Sequence, residues 1–301
     1  MQRLEEKDSL CQHQTIDLKS IAQELTIIPM AIVGNPQHGK TTLAKHLVEA
    51  LTELPNVKVR VWDSSTKWLF NSPCSKVFVI PPPQIVVYSD TDSYQSNEML
   101  AYSETITHEE MTALLKESCI CFDSSELDDI EYERQIQQQL IHIDKQRLIR
   151  QVKQNKGIVK ESVVWVCEES QGVFSSNSLR KKQNLWLARC ISTSANYGLS
   201  WLVITRRASE VSTKIFEHTG LKAIANSTQP NSLRKLKTIL EWQDIERLRT
   251  FGIGQFLVQN KEGIHYLQTT KFNGKDPMIL QTEQPQEETE DKGFLARLFK
   301  W

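Results

Sequence analysis

At 301 residues, with 39% hydrophobic and 24% charged side chains and a net charge of −1, the chain has the balance of an ordinary soluble α/β protein of one large or two smaller domains. Nothing in that charge advertises nucleic-acid binding, although a locally basic channel stays open. The six cysteines are scattered, and Cys119-x-Cys121 lacks a second ligand pair, so they read as buried free thiols of a reducing cytoplasm; the polar start Met1-Gln2-Arg3-Leu4 shows no signal core, and no run reaches membrane-spanning length.

Residues 1–25 read as one or two amphipathic helices. The apolar run 27–33 reads as a buried strand, and it leads into Gly34-Asn35-Pro36-Gln37-His38-Gly39-Lys40-Thr41, a complete G-x-x-x-x-G-K-T phosphate-binding loop. A helix with apolar residues at helical spacing follows from Thr42. The glycines let backbone N–H groups turn inward around phosphates, with the helix N-terminus adding a favourable dipole. Lys40 is expected to reach the β- and γ-phosphates, and the Thr41 hydroxyl to ligate Mg²⁺.

Residues 57–62 alternate as a second strand ending at Asp63. Strands are expected at 76–80 and 84–88, separated by Pro81-Pro82-Pro83, then a helix over 105–116 and a short strand over 119–122. The stretch 124–156 reads as a polar, solvated helix lying on the domain. Its Arg147, Arg150, Lys153 and Lys156 recur at i, i+3 as one basic edge, either a contact to a phosphate backbone or an ordinary wet face.

The apolar strand 162–167 ends in Glu168-Glu169, two carboxylates at the tip where ligands sit in such sheets. Glu168 is expected to hold Mg²⁺ through its water shell, and Glu169 to act as the base that orients and deprotonates the attacking water. A helix over 185–197 and a strand over 199–205 follow. The tip Ile204-Thr205-Arg206-Arg207 offers two cations, read either as sensors of developing γ-phosphate charge or as a solvated pair. Strand–helix alternation from 27 to about 205 predicts a mostly parallel sheet. A helix over 232–248 and strands over 254–259 and 263–269 complete the domain. Residues 273–292 read as a disordered acidic linker. The apolar, aromatic and basic end Gly293-Phe294-Leu295-Ala296-Arg297-Leu298-Phe299-Lys300-Trp301 reads as a tail for a partner's groove or a membrane surface, or one that packs on its own domain.

The order of these elements resembles the FtsK/HerA superfamily of P-loop ATPases, the DNA-pumping motors that include virus genome-packaging and conjugation ATPases. The likeness rests on the loop 34–41, Val61-Trp62-Asp63 with Lys67-Trp68, Glu168-Glu169-Ser170-Gln171, and Asn196-Tyr197-Gly198-Leu199-Ser200 running into Thr205-Arg206-Arg207. Gly252-x-Gly254-Gln255 is similar to the family's closing β element. The Glu-Glu pair looks more like the HerA branch.

The resemblance implies a RecA-like P-loop core over 26–272, with a helical excursion at 124–156. It implies Mg²⁺-dependent ATP hydrolysis with Lys40, Glu169, Arg206 and Arg207 in catalysis, residues 34–41 and Thr42 around the nucleotide, and Thr41 and Glu168 at the metal. The expected partners are double-stranded DNA and further copies in a ring, read as a hexamer. The expected place is the cytoplasm, at the periphery of a membrane or assembly site if the tail docks there. Two positions depart from the pattern: Arg206 stands where the family carries a sensor Gln, and Ala195 and Asn196 where it carries a trans-acting Arg, a part left to Arg189, Arg206 or Arg207. A second reading is therefore a nucleotide-dependent switch or assembly ATPase, tethered by its tail, that moves no DNA. A small-molecule kinase fits less well, for want of an Arg-rich lid. ATP is expected over GTP because no guanine-reading Asn-Lys-x-Asp motif is present.

Overall fold

The computed structural model describes residues 16–82, 84–89, 98–103, 106–168, 190–211, 213–274 and 278–280. Glu169, Arg189, the acidic stretch 281–292 and the tail 293–301 lie outside the described residues. The strands are β1 (Met30–Val33), β2 (Val57–Asp63), β3 (Lys76–Val79), β4 (Gln84–Ser89), β5 (Glu98–Ser103), β6 (Cys119–Asp123), β7 (Ser162–Cys167), β8 (Leu199–Thr205), β9 (Leu221–Ile224), β10 (Gln255–Asn260), β11 (Gly263–Gln268) and β12 (Met278–Leu280). Ten of them form one sheet in the order β11-β10-β9-β1-β8-β7-β2-β6-β3-β12, while β4 and β5 pair separately as an antiparallel hairpin. From β9 to β12 every pairing is parallel, and β10 and β11 close the other edge antiparallel. The mostly parallel sheet expected from the sequence is the one observed.

Strand periodicity divides the core between two faces. Val164 and Val166 of β7 face one layer with α1 (Leu18–Leu25) and α2 (Lys40–Thr52), which bury Ile21, Leu25, Leu43, Leu47 and Leu51 there. Val163, Trp165 and Cys167 face the other, where α3 (His108–Leu114), α4 (Ile130–Gln154) and the helices Pro230–Leu236 and Trp242–Leu248 pack. Aromatic rings fill that second layer: Phe122 stacks on Trp165 at 6.0 Å and on Trp62 at 6.3 Å. Among the described residues no helix is long and apolar enough to cross a membrane.

Three local expectations are corrected. The first strand begins at Met30, because Pro29 has no N–H and the amides of Ile27 and Ile28 both bond the Glu24 carbonyl at the end of α1. The single helix expected over 232–248 is two, since the chain turns after Lys237 to bury Leu240 and restarts from an extended Glu241. β5, β9 and β12 were not anticipated. β9 is only four residues long and carries Lys222, whose ammonium is kept inside by the Thr219 carbonyl at 2.6 Å.

The basic edge on α4 also resolves into parts. Arg147 turns inward, bonding Asp144 at 3.0 Å and pairing with Glu161, whereas Arg150, Lys153 and Lys156 stay exposed. Asp144 in turn lies 3.4 Å from the Arg60 Nε as a charge pair with no hydrogen bond between those two atoms. Arg60 also donates to the carbonyls of Val59, Leu115 and Glu117. Guanidinium and carboxylate are both wholly buried, so this network ties α4 to β2.

Lys235 gives the fold a measurable pH dependence. Its ammonium donates to the Val211 carbonyl at 2.6 Å and lies 5.0 Å from the Phe216 ring centre, and burial lowers its pKa from 10.5 to about 8. Between those values the unfolded chain holds a proton that the folded chain has shed, so stability rises with pH across that window. In urea unfolding at a series of pH values, Lys235→Met should remove that rise; an unchanged slope would assign it to other groups.

Candidate nucleotide site

The carboxyl ends of the parallel strands gather the site. β1 delivers the loop 34–41, β7 delivers Glu168, and β8, lying between them, delivers Thr205 and Arg206. β2 delivers Asp63 on the far side of β7, and β9 delivers Asn226 on the far side of β1.

The loop is held tightly. Gly34 has φ +150°, and a Cβ there would lie 2.7 Å from the Ala225 Cβ, so loop and β9 exit approach closer than any side chain permits. The Asn35 N–H donates to the Asn226 carbonyl at 2.7 Å, and its side-chain amide donates to Asn226 Oδ1 at 2.9 Å and to Thr228 Oγ1 at 3.1 Å. Asn226 is anchored in turn on the carbonyls of Arg249 and Phe251. On the other flank the Gly254 N–H donates to the His38 carbonyl at 3.3 Å. Burial, then the Lys40 charge, hold the His38 imidazole below its usual range. Gly34→Ala should therefore displace the loop: nucleotide affinity is expected to fall at least tenfold by calorimetry, the result of about 1.4 kcal/mol of strain or more. Wild-type affinity would mean the loop tolerates a Cβ.

α2 starts from Gly39, which adopts a left-handed conformation, offers no side-chain cap, and is followed by no acid in the first turn. The first-turn amides of that helix are thus left to an anion rather than to the protein's own side chains. Lys40 opens the helix with its ammonium folded over the loop, donating to the Asn35 carbonyl at 2.7 Å. Thr41 follows, and its hydroxyl donates to Glu168 Oε1 at 2.9 Å. Pro36 and Gln37 are exposed on the loop crest, and Thr42 is half-buried one step into the helix.

Glu168 is buried. Lys67 Nζ lies 3.1 Å from Oε1 and the Trp68 indole N–H donates to Oε2 at 3.3 Å. Burial pushes this carboxyl above the ordinary glutamate range, opposed by Lys67 and the Thr41 hydroxyl. Thr41 and Glu168 present a hydroxyl and a carboxylate oxygen side by side, a fit to a hard cation with oxygen ligands. Among the described residues no group of three or more His, Cys, Asp or Glu makes an all-protein metal cage. Such a pair suits Mg²⁺, which keeps waters and takes phosphate oxygens.

No protein-family model matches the chain, and no curated protein matches it by sequence. Among solved structures it is similar to the genome packaging NTPase B204 of Sulfolobus turreted icosahedral virus 2 in complex with AMPPCP, at 12% identity and a TM-score of 0.54, over 81% of this chain and 99% of that one. The AMP complex of the same protein gives 13% identity and a TM-score of 0.55 over 81% and 98%. B204 of Sulfolobus turreted icosahedral virus, described as a DNA-packaging ATPase, gives 12% and 0.51 over 81% and 98%. The chain has a RecA-like P-loop NTPase fold. At the level of fold, this agrees with the FtsK/HerA resemblance read in the sequence.

Within the RecA-like sheet, Lys40, Thr41 and Glu168 come together, and Arg206 stands exposed at the β8 tip between loop and acid. Arg207 is engaged by Glu210 at 3.3 Å, beside the turn that Thr205 Oγ1 makes with the Arg207 backbone. Glu169 lies outside the described residues. Sequence reasoning missed Asn226 and Thr228, which pin the loop. Recognising the short β9 as a strand was the signal that would have found them, because ligand-side residues follow the carboxyl ends of parallel strands. Asp63 accepts from Ser65 N–H, Ser65 Oγ and Trp68 N–H at 2.8–2.9 Å and so shapes the turn that carries Lys67 and Trp68.

Proposed function

We propose that this chain is an ATP-hydrolysing DNA translocase of the FtsK/HerA type, working as a homo-oligomeric ring on double-stranded DNA in genome packaging or DNA transfer for a virus or mobile element. The observation that carries the reading is the Thr41 hydroxyl on the Glu168 carboxylate at 2.9 Å, which joins loop and acid across 127 residues of sequence. The uncapped start of α2 and the Lys40 ammonium receive the phosphates; Thr41 and Glu168 would hold Mg²⁺, which would supply charge neutralisation. Glu169 takes the proton of the attacking water, and Arg206 or Arg207 stabilises the charge that develops. The similarity in fold to packaging NTPases supports DNA as the track and copies of this chain as partners.

Hydrolysis of ATP by the purified full chain, with and without double-stranded DNA, tests the proposal, with Glu169→Gln as the control at the base. Stimulation by DNA that this substitution abolishes is the expected result. Slow hydrolysis indifferent to DNA would overturn translocation and leave the nucleotide-dependent switch, with the segment 293–301 as the place to look for its partner.

A further inference from the structure

The turn after β2 brings a cation to the buried acid of the site. Lys67 Nζ sits 3.1 Å from Glu168 Oε1, the same oxygen that accepts from Thr41 Oγ1 at 2.9 Å. The Glu168 side chain is 2% exposed and that of Lys67 38% exposed, so the acid is shut in while the ammonium has a route to water. The turn is prearranged: both Asp63 oxygens are spent on Ser65 and Trp68, and the Trp68 indole grips Glu168 Oε2 independently of Lys67. The neighbouring Lys45 feels the charge of Glu168, but its ammonium donates to the Phe70 carbonyl at 2.9 Å and lies 5.7 Å from the Trp68 ring centre.

We propose that Lys67 is a placeholder cation, which neutralises Glu168 while the metal is absent and withdraws to solvent when Mg²⁺ enters with the nucleotide. The inference rests on the nucleotide-site reading above. An unpaired carboxylate at this depth is costly, so a resident cation keeps the site formed between turnovers. A divalent ion and an ammonium on one oxygen repel each other, so one must leave, and the half-exposed, flexible lysine is the one that can. Trp68 stays and keeps the carboxylate aimed. Lys67 is thus a positioning residue that sets how much Mg²⁺ the site demands.

The test is calorimetric binding of a non-hydrolysable ATP analogue to the full chain, with Mg²⁺ varied at fixed analogue and a parallel series in EDTA. Lys67→Ala is expected to lower the half-saturating Mg²⁺ concentration by roughly three- to fivefold, the upper end of the scale for a partly exposed ion pair. Lys67→Arg should stay within about twofold of wild type, since it restores the competing charge. In EDTA, analogue affinity should hold in Lys67→Arg and fall in Lys67→Ala, where nothing then neutralises Glu168. Half-saturation that is unchanged or raised in Lys67→Ala, or an arginine variant that behaves like alanine, overturns the placeholder role while leaving the nucleotide site intact. Failure of the wild-type chain to bind the analogue at all would instead refute the site reading and the inference with it. Melting in EDTA supplies a second readout: Lys67→Ala should melt below Lys67→Arg, and equal melting would count against the pairing.

Discussion

Lys40→Ala is expected to lower ATP hydrolysis by about 10²–10³-fold, the loss seen when one preorganised charge donor is removed from a transition state. The side chain belongs to the first residue of α2 and is 8% exposed, with its ammonium 2.7 Å from the Asn35 carbonyl. It therefore crosses the loop at the place where the first-turn amides open, and its charge adds to theirs. Truncation leaves those amides, the Asn35–Asn226 bonds and the Thr41–Glu168 contact untouched, so the melting temperature should move little. Single-turnover hydrolysis and thermal melting of the same preparation check this together. A variant that melts like wild type and hydrolyses like wild type would remove Lys40 from the chemistry.

Asp144→Ala should cost about 3–5 kcal/mol of stability, measured by denaturant unfolding, as breaking one side of a buried ion pair does. Arg60 and Asp144 are each 0% exposed, and Arg147 reaches the second oxygen of the same carboxylate at 3.0 Å. Removing that carboxylate strands a guanidinium inside the layer between β2 and α4. Arg150→Ala, one turn further along the same helix on its exposed face, should change stability by no more than about 0.5 kcal/mol. Replacing both buried partners, Arg60→Met with Asp144→Leu, should recover only part of the loss. No lone guanidinium is then left in the layer, but the Val59, Leu115 and Glu117 carbonyls lose their donor and Arg147 keeps Glu161 alone. Equal effects at Asp144 and Arg150 would mean the buried pair carries no stability.

The contrast between Arg147 and Arg150 shows where sequence reasoning stops. Both sit in one i, i+3 row of cations, and the local difference is a single acid, Asp144, three residues before Arg147. Glu161 meets Arg147 only after α4 has been laid against β2 and the start of β7, and the same packing buries Asp144, so the Arg147 charge is spent on two acids while Arg150 remains on the surface. β9 illustrates the same limit from the other side. A four-residue run containing a lysine carries too little pattern to be read as a strand, yet it pairs with β1 and sends Asn226 to pin the loop.

Elements whose signal is local were legible in the chain: the phosphate loop between strand and helix, the apolar run ending at Glu168, and the alternation that makes the sheet mostly parallel. Each depends on φ/ψ demands or residue periodicity within a dozen or so positions, which a single chain displays. Which strand tips are neighbours emerges from the folded sheet. Because β8 lies between β1 and β7, Thr41 reaches Glu168 from 127 residues away and Arg206 stands between them. The turn after β2 brings Lys67 onto the same carboxylate. Those meetings follow from sheet order, and sheet order is set by long-range burial of strand faces, a property of the whole core that no local stretch encodes.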